Sequence, residues 1–149
     1  MGILLRHVET NRVVFYLKGA DSIMEEKVKR VYSGQVQDES ENLAREGFRT
    51  LVFAQSYITE EQYQSWKRKH DKAKIQMQNR DQAIQNAANL LEKEMDFLGV
   101  TGVEDKLQDD VAITIESMRN AGIKVWMLTG DKVATAKCIA VMAGIKTST

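Results

Sequence analysis

Apolar positions open the chain in short β-like runs. Met1 to Val8 and Val13 to Leu17 are rich in β-formers and are separated by Glu9-Thr10-Asn11-Arg12, a spacing that predicts an antiparallel hairpin. The second run ends in Lys18-Gly19-Ala20-Asp21. Asp21 or Ser22 is placed to cap a helix in which Met24, Val28, Val31 and Tyr32 fall at helical spacing, with Ser33-Gly34 as its end. A further helix, about Asp38 to Arg45, closes at Gly47, a C′ glycine. From Phe48 to Ile58 apolar residues occur on both faces, the pattern of a central strand.

Thr59 followed by Glu60-Glu61-Gln62 predicts a capping-box helix start. Beyond it the chain reads as helical and highly charged. Tyr63, Trp66, His70, Ala73 and Met77 make one stripe, Asn79-Arg80-Asp81 a break, and Ile84, Ala87, Ala88, Leu91 and Met95 a second stripe. Stripes this narrow predict two solvated helices lying on a core. On that pattern Trp66 reads as a core anchor rather than a base-stacking platform. His70 reads as a packed or half-exposed histidine rather than a ligand.

At Asp96 the texture changes. Phe97 to Val103 is an apolar strand with two glycines, and residues 104–110 form a charged loop. A helix of about Val111 to Ala121 would carry Val111, Ile115 and Met118 inward and stop at Gly122. Ile123 to Leu128 reads as a short buried strand running into Thr129-Gly130-Asp131. A helix from about Lys132 to Ala143 follows, with Val133, Ala136, Ala140 and Ala143 inward. Strand–helix–strand–helix with short links predicts a βαβα unit and a parallel sheet. The expected class is therefore α/β in two pieces. Residues 1–94 read as an antiparallel sheet with helices, and residues 95–149 as part of a doubly wound parallel sheet.

Composition narrows the field. The chain has 149 residues, 43% hydrophobic and 28% charged, enough for one modest domain or parts of two. Lys+Arg and Asp+Glu are both 21, a balance that suggests neither a nucleic-acid partner nor a polybasic membrane module. Cys138, the single cysteine, excludes an intramolecular disulfide framework and reads as a buried spacer, with no histidine near it in sequence. No apolar run approaches the ~20 residues of a membrane helix, and Met1 to Arg6 is too short for a signal peptide. Proline is absent, against a usual share of about 5%. Both ends are expected to be cut from something larger.

Candidate chemistry gathers at strand ends. Thr129, Gly130 and Asp131 would sit between a strand and a helix start, where ligands collect in open α/β sheets. The Thr129 hydroxyl and backbone N–H groups can hold a phosphate, and Asp131 a Mg²⁺. The same tripeptide also suits a tight turn with Asp131 capping the helix. Lys18 beside Gly19 can reach a phosphate or lie along a purine, or it is an exposed lysine at a turn. Arg49 at a strand start offers a forked cation to phosphate oxygens, or a salt bridge to a carboxylate such as Glu46. Asp105, at a neighbouring strand end, completes a nucleotide and Mg²⁺ site, or lies in a plain loop.

Four blocks occur in order: Lys-Gly-Ala-Asp (18–21), Arg-Glu-Gly-Phe-Arg-Thr-Leu (45–51), Gly-Val-Glu-Asp-Lys-Leu-Gln (102–108), and Ala-Gly-Ile-Lys-Val-Trp-Met-Leu-Thr-Gly-Asp-Lys (121–132). Together they resemble a P-type ATPase, and more narrowly the type IV group, the phospholipid flippases. The Glu-Asp-Lys-Leu-Gln block is characteristic of that group, where ion pumps carry Asp-Pro-Pro. Met-Gly-Ile-Leu-Leu-Arg and Val-Trp-Met-Leu-Thr-Gly-Asp lean toward its Golgi and endosomal branch.

The resemblance implies that residues 1–94 are the later part of a nucleotide-binding domain. Residues 95–149 would be the start of a haloacid-dehalogenase-like phosphorylation domain. It implies that Lys18, with Gly19, lines the ATP pocket, that Arg49 meets the nucleotide phosphates, and that Asp105 sits at the hinge near the nucleotide. Thr129 and Gly130 would hold the transferred phosphoryl group with Asp131 beside them. The implied reaction moves the ATP γ-phosphate to an aspartate with Mg²⁺, then hydrolyses the product, coupled to phospholipid movement. The implied place is the cytosolic face of a membrane protein, with room for an accessory subunit and no nucleic-acid partner.

Several departures stand beside this. The Asp-Lys-Thr-Gly-Thr motif that carries the phosphorylated aspartate is absent, as are Gly-Asp-Gly-x-Asn-Asp and any membrane helix. Ala112 stands where these flippases usually have Pro, and Ala134 where Glu is usual. The expectation is therefore a segment that contributes ATP contacts without catalysing hydrolysis alone. The competing expectation is a truncated, non-enzymatic module that binds nucleotide or a partner. A small phosphatase-like hydrolase would need a nucleophilic aspartate at another strand end, and no such residue is found.

Overall fold

The computed structural model describes residues 1–104 and 106–146. The chain forms two compact units, Met1–Gln37 with Leu51–Val100, and Asp38–Thr50 with the residues from Thr101 on. Its strands are β1 (Gly2–Arg6), β2 (Val13–Gly19), β3 (Arg49–Ile58) and β4 (Asp96–Val103). Its helices are α1 (Asp21–Met24), α2 (Ser33–Arg45), α3 (Glu60–Lys74), α4 (Arg80–Asn89), α5 (Val111–Asn120) and α6 (Val133–Met142). The strands make one four-stranded sheet in the order β1-β2-β3-β4.

The expected hairpin is present: β1 pairs antiparallel with β2, Leu4 opposite Phe15, and β2 pairs antiparallel with β3, Leu17 opposite Ala54. The core of the first unit holds Phe15, Leu17, Met24, Val28, Val36, Val52, Ala54, Leu91 and Met95, all buried. Burying these side chains is the main favourable term here, about 1.5–3 kcal/mol for each large one. Trp66 packs against this cluster, as its place on the α3 stripe predicts.

Four expectations for this part of the chain need correction. The helix predicted from Asp21 to Tyr32 stops at Met24, and Arg30–Tyr32 forms only a 3-10 turn. Residues 27–29 are drawn off by the far end of the unit. Val28 forms a parallel bridge with Met95, Lys29 N–H donates to Met95 O (2.9 Å), and Met95 N–H donates to Lys27 O (3.0 Å). Ser33-Gly34 starts α2 rather than ending a helix, because Val36, Ser40 and Ala44 are buried at four-residue spacing and the helix must begin early enough to bury Val36. Met77 is 99% exposed, beyond the end of α3, so it lies on no packed stripe. β4, expected as the first strand of a separate parallel sheet, lies beside β3 in the four-stranded sheet.

In the second unit, Gly102 brings β4 against Phe48: a Cβ there would stand 3.0 Å from Phe48 Cβ. Gly47 has φ +91 and faces Cys138, whose Sγ would be 3.0 Å from an added Cβ. Cys138 is half-buried against this glycine rather than fully buried. Thr135 is buried on α6 and donates its hydroxyl to Phe48 O (3.2 Å). The inward face of α6 is therefore Thr135, Ala140 and Ala143, while Val133, expected inward, is 70% exposed. On α5, Val111 and Ile115 are half-buried and Met118 is exposed. Arg119 donates to the carbonyls of Gly144 and Ile145, satisfying acceptors past the end of α6.

The strand expected at Ile123 to Leu128 does not form; the segment has no regular structure, and Trp126 is 79% and Leu128 97% exposed. A strand needs a ladder partner for its N–H and C=O groups. The neighbour assigned to it, Phe97 to Val103, is in the sheet with β3. The doubly wound sheet expected over residues 95–149 is thus not formed among the described residues, although helix α6 stands where the reading put it.

Candidate functional site

Three of the candidate residues meet in the second unit. The Thr129 hydroxyl donates to Asp131 Oδ2 (2.9 Å), and Asp131 N–H donates back to Thr129 Oγ1 (3.1 Å), closing a small turn. Arg49, at the first position of β3, donates from Nη2 to the same Asp131 Oδ2 at 3.3 Å. Asp131 is the more enclosed partner, its side chain 23% exposed against 55% for Arg49. Gly130 has open space where a Cβ would stand and no left-handed backbone angle. Neither packing nor turn geometry therefore requires a glycine there.

This arrangement decides between two earlier alternatives. Lys132, not Asp131, is the N-cap residue of α6, and no side chain makes the cap hydrogen bond. Asp131 instead serves Thr129 and Arg49. The salt bridge expected as the alternative role of Arg49 exists, with Asp131 as its carboxylate. A guanidinium, a hydroxyl and an exposed glycine N–H are all donors, and they suit an anion with several oxygens. Asp131 adds one acceptor of the kind a hard cation takes.

The reach of Arg49 is set by a residue passed over in the sequence. Thr135 holds Phe48 O, one position before Arg49, from within α6, four positions after Asp131. A hydroxyl among the alanines of α6 was the available signal. Gly47, two positions before Arg49, supplies the close contact with α6 at Cys138.

Lys18 and Gly19 end β2 in the first unit. Lys18 is exposed, as strand alternation requires after buried Leu17. Its backbone is fixed: Lys18 N–H donates to Met1 O (2.9 Å), and the Met1 ammonium donates to Lys18 O (2.7 Å). Gly19 faces Met24, with 3.4 Å from an added Cβ to Met24 Cγ and Sδ, so close packing on α1 accounts for this glycine. Asp105 lies outside the described residues. Among the described residues no group of three or more His, Cys, Asp or Glu could hold a metal ion, and no helix is long and apolar enough to cross a membrane.

Comparison with known proteins gives the family of the chain. A family model described as "P-type ATPase, cytoplasmic domain N" matches residues 1–110. The chain is 49% identical over 140 residues to the protein named "Probable phospholipid-transporting ATPase IIB" of Homo sapiens, covering 94% of this chain and 12% of that protein. It is 50% identical over 143 residues to "Phospholipid-transporting ATPase neo1" of Schizosaccharomyces pombe, covering 95% of this chain and 14% of that protein. "Probable phospholipid-transporting ATPase tat-5" of Caenorhabditis elegans is 42% identical over 146 residues, or 97% of this chain and 13% of that protein. The chain thus spans about an eighth of the length of these relatives. With its α/β fold and a matched domain over most of its length, the chain belongs to the P-type ATPase family.

Proposed function

We propose that this chain supplies ATP-contacting residues to a phospholipid-translocating P-type ATPase of the type IV group. The observation that carries the reading is the convergence of Arg49, Thr129 and Asp131 around an open Gly130. Arg49 and Thr129 donate to phosphate oxygens, and Gly130 lets the phosphoryl group approach the backbone. Asp131 orients both donors and is the described carboxylate available to a Mg²⁺ that arrives with the nucleotide, which needs only one or two protein carboxylates. Lys18 lines the ATP pocket.

In this reading residues 1–94 are late nucleotide-binding domain and residues 95–149 the start of a haloacid-dehalogenase-like phosphorylation domain. The names of the relatives support phospholipid as the transported substrate of the whole protein. The match to a cytoplasmic-domain model supports a place for this segment on the cytosolic face of a membrane, the Golgi or endosome being the proposed compartment. The missing Asp-Lys-Thr-Gly-Thr motif supports binding without turnover by these 149 residues alone.

Calorimetric titration of the purified chain with ATP tests this. Binding that weakens in Lys18→Ala and in Arg49→Ala, with no phosphate release, is expected. Robust hydrolysis that depends on Lys18 would overturn the reading, and so would ATP binding indifferent to both substitutions.

A further inference from the structure

We propose that the groove between α3 and the turn after α4 docks an acidic segment of a protein partner that carries an apolar anchor residue. The groove belongs to the first unit and lies along the end of β3. Its floor is apolar: Ile58 and Trp66 are half-buried, Leu91 is buried, and Leu90 is left 49% exposed. Lys69 and Lys93 stand on its lining, both exposed and neither ion-paired among the described residues.

The charge pattern is not explained by helix electrostatics alone. Basic residues in the last turn of a helix offset its dipole, which accounts for Lys72 and Lys74. It does not account for Lys69, in the middle of α3, or for Lys93, which lies outside any helix. Glu61, also on the lining, lies about two helical turns before Lys69 on α3. The groove is therefore polarised, and an entering segment would place its carboxylates toward Lys69 and Lys93.

A groove of this kind favours a polypeptide over a lipid surface. Its wall is fixed in place. Trp66 Nε1–H donates to Ala87 O (2.9 Å), and the indole stacks on His70 with centroids 4.7 Å apart. A fixed concave wall selects a side chain of matching shape, and complementary charge at its edge sets orientation and register. A headgroup plane would meet the convex helix surface instead.

The probe is a fluorescein-labelled synthetic peptide of glutamates flanking one leucine, titrated into the 149-residue chain at low salt and read by anisotropy. Saturable binding is expected, with affinity falling on added salt and by about tenfold in the double variant Lys69→Glu with Lys93→Glu. A peptide with lysines in place of the glutamates should bind that variant better than it binds the native chain. Leu90→Ala should weaken the acidic peptide without changing its salt dependence. Both lysines are exposed, so the thermal melt should not move. If it does, Lys69→Gln with Lys93→Gln takes the place of the charge reversal. Absence of saturable binding, or equal binding by native and substituted chains, would overturn the proposal. Phosphatidylserine vesicles that displace the peptide and require the same lysines would also overturn it, identifying a membrane site.

Discussion

Arg49 and Asp131 are 82 residues apart in sequence, and their side chains meet at 3.3 Å on the oxygen that also accepts from Thr129. One carboxylate oxygen thus holds both proposed phosphate donors. The pair is half open to water on the arginine side, where an exposed ion pair contributes only about 0–1 kcal/mol. Its importance is therefore expected to lie in placement more than in stability. Asp131→Ala should lower the unfolding free energy by less than about 1 kcal/mol. Arg49→Ala should weaken ATP binding by about tenfold or more, the scale of one lost charge-assisted hydrogen bond. Chemical denaturation and calorimetric titration of the same two variants check the contrast.

Gly47 should tolerate no side chain. Its φ of +91 strains any L-residue, and a Cβ would stand 3.0 Å from Cys138 Sγ. Gly47→Ala is expected to cost about 1–3 kcal/mol. Adding Cys138→Ala should recover the part due to the clash and leave the backbone strain. Thermal melts of the single and double variants separate the two contributions.

The α3–α4 pair is tied by one indole hydrogen bond, Trp66 Nε1–H to Ala87 O at 2.9 Å. Trp66→Phe keeps an aromatic ring but removes the indole donor, leaving Ala87 O with the bond from Leu90 N–H at 3.3 Å. The expected loss is about 0.5–1.5 kcal/mol, the net value of one hydrogen bond, measured by urea unfolding.

Glu60 gives a pH dependence whose sign is fixed. Hydrogen bonds from Gln64 and then Arg6 hold its carboxyl below the ordinary value of 4.5. A depressed folded-state pKa means that the contribution is complete above 4.5 and is lost as pH falls through the lower folded value. Glu60→Gln should therefore narrow its stability difference from the native chain as the pH drops below 4.5. Lys29 runs the other way. The hydrogen bond from Lys29 to Asp96 raises its pKa, so its contribution is full below 10.5 and is lost as pH rises through the raised value. Unfolding curves collected across both pH ranges check the two signs.

Local signals were readable where local forces decide. The Thr59 capping box forms as its spacing predicts, with Thr59 and Gln62 bonding each other's backbone N–H groups. The β1–β2 hairpin and β3 follow from alternation and apolar runs. The failures are places where a distant partner competes. Val28 leaves the predicted helix because Met95, 67 residues on, bridges to it. Ile123 to Leu128 has a strand's composition, but composition cannot supply a ladder partner. At the site, the Thr129–Asp131 turn was legible from the tripeptide. The alliance of Arg49 with Asp131, and the hold of Thr135 on Phe48, depend on packing between residues 48–49 and 131–135 that no sequence window contains.

The most direct test of the central claim is a residue-resolved NMR titration of the 149-residue chain with ATP and Mg²⁺. The account predicts saturable amide shifts at Lys18–Gly19 and at Arg49 and Thr129–Asp131, with the nucleotide remaining intact. Saturable shifts confined to other residues, or no shifts at millimolar ATP, would contradict the assignment of this chain as a source of ATP contacts.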